Sequence, residues 1–229
     1  MKRLIKDLSP PIFWRMLKNI KEASRLKKMV GDGHAQDLSV YWDSEMATVL
    51  ETWGEENAWL EIQFLMNGCS GSVLDIACGT GKVMTLLQKN FGNKILISGC
   101  DISDMLINKA LERGIDPSLV TVCDATKLPY QNLQFDYSYS IGSLEHFTEY
   151  GIVLAIEEMA RVTKIASFHM MPTSRSQLNE GWIKTYQSFY NCSPNWWVEK
   201  FSKNFKSVIP IRSGWEDNIS VGYWFLCSH

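Results

Sequence analysis

No two of the six cysteines in this 229-residue chain (Cys69, Cys78, Cys100, Cys123, Cys192 and Cys227) form a C-x-x-C pair, so neither a zinc knuckle nor a dithiol redox motif is encoded. Three of them sit in or beside strand-like runs, and they read as small apolar fillers of a reducing compartment. Apolar runs long enough to span a bilayer are lacking, as is the apolar core of a secretion signal, so a cytoplasmic location is expected. There is no glycine-serine linker, repeat or low-complexity stretch. No constellation of metal-ligating residues is evident either; no metal is expected, and a divalent-metal mechanism is set aside.

What remains is the composition of one enzyme-sized domain. A chain that is 45% apolar can bury a full core. Its formal charge of −2 conceals a split, because residues 1–30 carry nine Lys or Arg against only Asp7 and Glu22. Ile12, Phe13, Trp14, Met16, Leu17 and Ile20 form an apolar helical stripe behind Pro10 and Pro11. A helix packed on the domain or on a dimer partner is favoured over one lying on an anionic membrane surface, the second reading of such a basic amphipathic segment. A nucleic-acid partner is not expected, since the body of the chain is acidic.

Residues 73–84 (VLDIACGTGKVM) read as a buried strand, a glycine turn and the start of a helix at Lys82. Asp75 ends the strand, and Ala77, Cys78, Gly79 and Gly81 form a turn that lets backbone approach a ligand. A dinucleotide fingerprint needs a third glycine at position 84, which is Met84, and this disfavours a nicotinamide oxidoreductase. The acid followed by small residues at alternate positions resembles motif I of the class I S-adenosylmethionine-dependent methyltransferases. A second strand ends in Asp101, whose two oxygens match the vicinal diol of a ribose, as in motif II of that family. Ile102 and Met105 follow as apolar residues for the adenine face. A third strand ends in Asp124-Ala125, which in the family meet the adenine amino group. A fourth strand runs from Phe135 to Ser140, and Ile141 opens a loop, through Glu145, His146 and Phe147, similar to the family's segment beside the reactive methyl. Ser140 and Ile141 are accordingly placed in the cofactor set.

The resemblance, which is strong over residues 70–172, implies a Rossmann-like α/β fold. Its sheet would have seven mostly parallel strands and a terminal antiparallel hairpin, with S-adenosylmethionine as cofactor. Residues 1–66 are expected to form the basic helix and a helical cap, and residues 67–229 the methyltransferase domain. Related enzymes cap the cofactor with such N-terminal helices, which would bring Tyr41, Trp42, Trp53 and Gly54 to its methionine end. Aromatic faces also suit a sulfonium. Core packing is the alternative for Trp42 and Trp53.

Methyl transfer to a hydroxyl needs one base to take the proton. His146, in the loop after the fourth strand, is the first candidate, with Glu145 to orient it or to bond the cofactor backbone. His169, near the end of the fifth strand, is the second. Structural roles stay open for all three. The Asp/Asn-Pro-Pro-Tyr sequence of amide and nucleobase methyltransferases is absent, Ser140-Ile141-Gly142-Ser143 standing in its place.

Between the fifth strand and the next helix, residues 173–197 form a polar, aromatic excursion. Arg175, Trp182, Lys184 and Tyr186 suit a sugar and its phosphate there, an ordinary helical excursion being the alternative. The chain as a whole resembles methyltransferases of bacterial surface-polysaccharide biosynthesis. O-methylation of an activated or phosphorylated sugar is therefore the leading expectation. N-methylation of an amino sugar, or a non-catalytic cofactor-binding subunit, is the alternative.

Overall fold

A computed structural model describes residues 44–183 and 189–229. The basic N-terminal stripe, Tyr41, Trp42, Lys184 and Tyr186 lie outside the described residues. Seven strands form one sheet: β1 (Gly71–Ile76), β2 (Ile95–Asp101), β3 (Val120–Val122), β4 (Phe135–Ile141), β5 (Thr163–Ser174), β8 (Ser207–Glu216) and β9 (Ser220–Ser228). Their order is β3-β2-β1-β4-β5-β9-β8, with β1 to β5 parallel and β9 antiparallel to both β5 and β8. This is the expected Rossmann-like sheet with its terminal hairpin. Chain order reverses between β1 and β4, and in open parallel sheets a ligand crevice forms at that switch point, outside the carboxyl ends of the strands.

The central strands are near-continuous apolar runs because both faces are covered. Val73, Leu74 and Ile76 of β1 are all fully buried. On one side lie α2 (Ala58–Met66), α3 (Lys82–Phe91) and α4 (Asp104–Glu112); on the other lie α5 (Glu149–Val162) and α6 (Pro194–Phe201). A shorter helix, α1 (Ser44–Leu50), precedes α2. Helix starts follow local chemistry. The Ser103, Thr148 and Ser193 hydroxyls accept from the backbone N–H three residues on, and Pro194 occupies the first turn of α6, where its missing N–H costs nothing. Each such cap contributes about 1 kcal/mol.

Helix α2 is tied to the terminal hairpin through one carboxylate. Glu61 accepts from Ser213 Oγ (2.6 Å), Trp224 Nε1 (2.7 Å) and the Gly214 N–H (2.6 Å). The segment leading into it, with Trp53 tilted against Trp215 at 5.9 Å, is thereby held over the sheet end.

Two sequence expectations change at this level. Within the excursion after β5, Gly181–Ile183 (β6) and Phe189–Asn191 (β7) pair as a small antiparallel sheet of their own before α6 starts at Pro194. Moreover, β5 continues to Ser174, paired with β9 along that length, so His169 sits in mid-strand rather than near the carboxyl end. Among the described residues no helix is long and apolar enough to cross a membrane.

Candidate cofactor and acceptor site

The chain leaves β1 through a turn in which Ala77, Gly79 and Gly81 all have positive φ (61°, 56° and 70°). For Ala77 this is a strained conformation, of the kind that persists where surrounding structure enforces it. The turn is pinned to the neighbouring strand by Cys78 N–H to the Cys100 carbonyl (2.9 Å) and Gly79 N–H to Asp101 Oδ2 (2.9 Å). Asp101 Oδ1 accepts from the Ser103 N–H at 2.9 Å. With each oxygen taking one backbone bond, each keeps a further acceptor site for a diol. Burial pushes the Asp101 carboxyl up to about 6, opposed by those backbone N–H groups.

Two adjoining cavities open beside this turn. One is walled by Cys100, Ile102, Cys123, Asp124, Ala125, His146 and Phe147. The other is walled by Leu50, Trp53, Asp75, Cys78, Gly79, Tyr139, Ile141 and Gly142, among others. Ala77, Asp101 and Ser143 line both. Asp101 thus stands at the join of an apolar compartment suited to a base and a less apolar compartment beside the glycine turn. Asp75, at the floor of the second, accepts from Tyr139 OH at 2.7 Å. Enclosure raises its carboxyl to about 8; the tyrosine bond opposes this and the nearby Asp101 adds to it.

These features fit S-adenosylmethionine on the chain's own geometry. Gly79 faces the cavity with space at its missing Cβ down to Leu50 Cδ1 at 3.4 Å. Among the described residues Asp75 is a buried acid with no cationic partner, which an α-ammonium would favour in its carboxylate form, and Ser143 Oγ is a buried hydroxyl with no partner. When bound, the cofactor supplies an electrophilic methyl on a sulfonium.

The remaining predicted site residues divide. Trp53, Asp75, Ala77, Cys78, Gly79, Asp101, Ile102, Asp124, Ala125, Ile141 and His146 line one or both cavities. Gly81 does not: a Cβ there would stand 2.3 Å from Ile115 Cδ1 and 3.1 Å from Ala110 Cβ, so this glycine serves the contact of α3 with α4. Met105 is half-buried and off the wall, where its neighbour Leu106 stands instead. A Cβ at Gly54 would stand 3.2 Å from Trp59 Nε1, so this glycine makes room for the indole, and it is Trp59 that reaches the cavity. Ser140 turns into the core and bonds His169 Nδ1 at 2.8 Å.

His169 itself is fully buried, with Nε2 bonded to Ser167 Oγ and the ring stacked on Phe201 at 5.2 Å. Burial pulls its pKa down to about 3. Both nitrogens are occupied and His169 lines neither cavity, so the described residues place it as a structural histidine rather than beside a substrate. Arg175 also departs from expectation. It donates to the Asp217 carbonyl (2.6 Å) and pairs with Glu216 (3.4 Å), bracing the β8–β9 turn rather than facing a cavity. Trp182 stands edge-on to Tyr190 at 4.9 Å within the small sheet.

His146 lies in a single 3-10 turn, Leu144–His146, directly after β4. It is on the wall shared with Asp124 and Ala125, three residues from Ser143 at the junction. Glu145 is buried beside it, with its Oε1 3.7 Å from His146 Nε2, too long for a hydrogen bond. Strand β7 packs against this turn, which sets the small sheet beside His146. Tyr139 has no site role in the sequence reading, and Ser143 and Phe147 enter it only as members of the loop after the fourth strand. For Tyr139 a signal existed, since it is the register partner of Asp75 across β1 and β4.

Known proteins resemble this chain over the region that builds these cavities. A family model described as "Methyltransferase domain" matches residues 73–165. Probable tRNA methyltransferase 9B of Mus musculus is 39% identical over 111 residues, 47% of this chain and 23% of that protein. The chain therefore spans about a quarter of the length of the first curated relatives it matches. Ubiquinone/menaquinone biosynthesis C-methyltransferase UbiE of Burkholderia mallei (strain SAVP1) is 28% identical over 193 residues, covering 82% of this chain and 76% of that one. Among solved structures, Haemonchus contortus phosphoethanolamine N-methyltransferase 2 in complex with S-adenosyl-L-methionine has a TM-score of 0.61 at 16% identity, over 80% of this chain and 56% of that chain. Residues 73–165 thus match a methyltransferase-domain family, and the fold of the chain is like that of the S-adenosyl-L-methionine-bound structure.

Proposed function

We propose that this methyltransferase moves its methyl group to an oxygen of a small polar acceptor, an activated or phosphorylated sugar or a similar precursor of a glycan decoration, with His146 as general base. The observation that carries the reading is the placement of His146. Its imidazole is on the cavity wall, and the small aromatic sheet packs on the same turn. An imidazole suits proton removal near neutral pH, and aromatic faces with interleaved polar groups suit a sugar ring. In-line transfer asks the chain to align the acceptor oxygen, keep water out and remove the hydroxyl proton as the oxygen attacks. On this reading Trp53 and residues 44–66 cap the cofactor, the small sheet covers the acceptor, and His146 takes the proton. C-methylation of an electron-rich ring is the second reading, favoured by the quinone C-methyltransferase that matches most of the chain.

The test is a labelled-methyl screen over nucleotide sugars, amino sugars and hydroquinones. The expected result is an O-linked methyl on a nucleotide sugar, and in His146→Asn a fall in kcat of about a hundredfold, the usual scale for a positioned base, with S-adenosylhomocysteine still bound. Label confined to a hydroquinone or to an amine, or full turnover by His146→Asn, contradicts the proposal.

A further inference from the structure

The cavity with Asp75 and Asp101 on its wall has a single cation there among the described residues, Lys82. Lys82 is the first residue of α3, a helix that starts from Gly81 with neither a side-chain cap nor an acid in its first turn. The positive end of the helix dipole disfavours a cation at that place. The neighbours of the ammonium do little to compensate. Lys82 Nζ lies 3.7 Å from Glu51 Oε2, too long for a hydrogen bond, and 5.9 Å from the centre of the Trp59 ring, at the outer limit of a cation–π contact. The Lys82 and Glu51 side chains are 38% and 36% exposed, so their ion pair adds little stability. Glu51 is committed elsewhere. Its Oε1 accepts from Arg113 at 2.5 Å, and Arg113 Nε donates to the Thr80 carbonyl at 3.0 Å, which ties the segment after α1 to the glycine turn without Lys82. Leu50 and Trp53, on either side of Glu51 in the chain, line the cavity, and so does Trp59, which sets the Lys82 ammonium at its rim.

We propose that Lys82 receives the α-carboxylate of the cofactor's amino-acid end, leaving Glu51 to Arg113. The proposal rests on the reading of these cavities as the S-adenosylmethionine site and adds to it a residue outside the motifs that point to that site. The amino-acid end of the cofactor is a zwitterion. Asp75 suits its α-ammonium, but Asp75 and Asp101 together oppose a carboxylate carried on the same carbon, and a cation on the same wall offsets that repulsion. Lys82 meets this requirement. Its flexible four-carbon stem swings the ammonium about a fixed helix position, and a carboxylate arriving at the start of α3 is favoured by the helix dipole as well.

The experiment is calorimetric titration of the full chain and of Lys82→Met with two ligands. One is S-adenosylhomocysteine; the other is its decarboxylated counterpart, a thioether that keeps the adenosyl group and the primary amine and lacks the carboxylate. Methionine keeps an apolar stem beside Trp59 while removing the charge. S-adenosylhomocysteine is expected to bind about tenfold more weakly to Lys82→Met than to the native protein, through loss of a charge-assisted hydrogen bond. The decarboxylated ligand is expected to hold its affinity within about threefold or to gain, because a cation that repels it is gone. Equal loss for both ligands overturns the proposal, since Lys82 would then support the site as scaffold. Unchanged affinity for S-adenosylhomocysteine in the variant overturns it too. Should Lys82→Met fail to fold, Lys82→Gln repeats the comparison with the same two criteria. Failure of the cofactor reading has a different sign: the native protein then binds neither ligand, and the proposal falls with it.

Discussion

Asp75 is enclosed at the end of β1, bonded by one tyrosine hydroxyl and, among the described residues, facing Asp101 rather than a cation. The low-dielectric surroundings favour its protonated form, and the carboxyl is pushed up to about 8. On the reading that it receives the α-ammonium of S-adenosylmethionine, binding favours the carboxylate and expels the proton. Affinity therefore climbs with pH up to about 8 and levels off above it. Calorimetry with S-adenosylhomocysteine at neutral pH, run in phosphate and in Tris, is expected to give different observed heats for the native protein and equal heats for Asp75→Asn. Equal heats in the native protein would show that no proton leaves. Tyr139 has a supporting part, holding the Asp75 carboxyl at its register partner on the neighbouring strand.

At the scale of elements, the glycine turn divides its labour. Gly79 faces the cavity, while Gly81 lets α3 approach α4. Gly81→Ala must adopt φ near +70° and displace Ile115, so it is expected to lose about 1–3 kcal/mol of stability in urea unfolding. A midpoint unchanged from native would refute that packing role. The same turn shows what sequence alone carries. Its strand, acid, small residues and helix start are legible because a strand buried on both faces is a bare apolar run and a ligand turn demands small residues. The acids ending β2 and the loop after β3 are legible for the same reason. Position 84 is informative in a second way: Met84 packs its sulfur towards Gly99 of β2, so the bulk that excludes a dinucleotide fingerprint belongs to the core. What stayed hidden depends on register and burial. His169 and Ser140 bond each other across β4 and β5, and no local pattern tells such a buried pair from a reactive one. Arg175 pairs with Glu216, forty-one residues away, and β6 with β7 carries no alternation long enough to mark a strand.

On the whole molecule, the sheet places the carboxyl ends of β1, β2 and β4 around one crevice at the switch in strand order. The hairpin of β8 and β9 holds α2 through Glu61, and α2 in turn fixes the approach of Trp53. The small sheet of β6 and β7 closes against the turn that bears His146. We infer that this crevice is the cofactor trough, with Asp101 at its middle and one compartment on either side. That arrangement is the central claim, and calorimetric titration of S-adenosylhomocysteine into the native protein and Asp101→Ala, each confirmed folded by circular dichroism, tests it most directly. Loss of charge-assisted hydrogen bonds of about 1.5–3 kcal/mol predicts affinity weaker by roughly ten- to a hundredfold in the variant. Equal affinity in the two proteins would contradict the account.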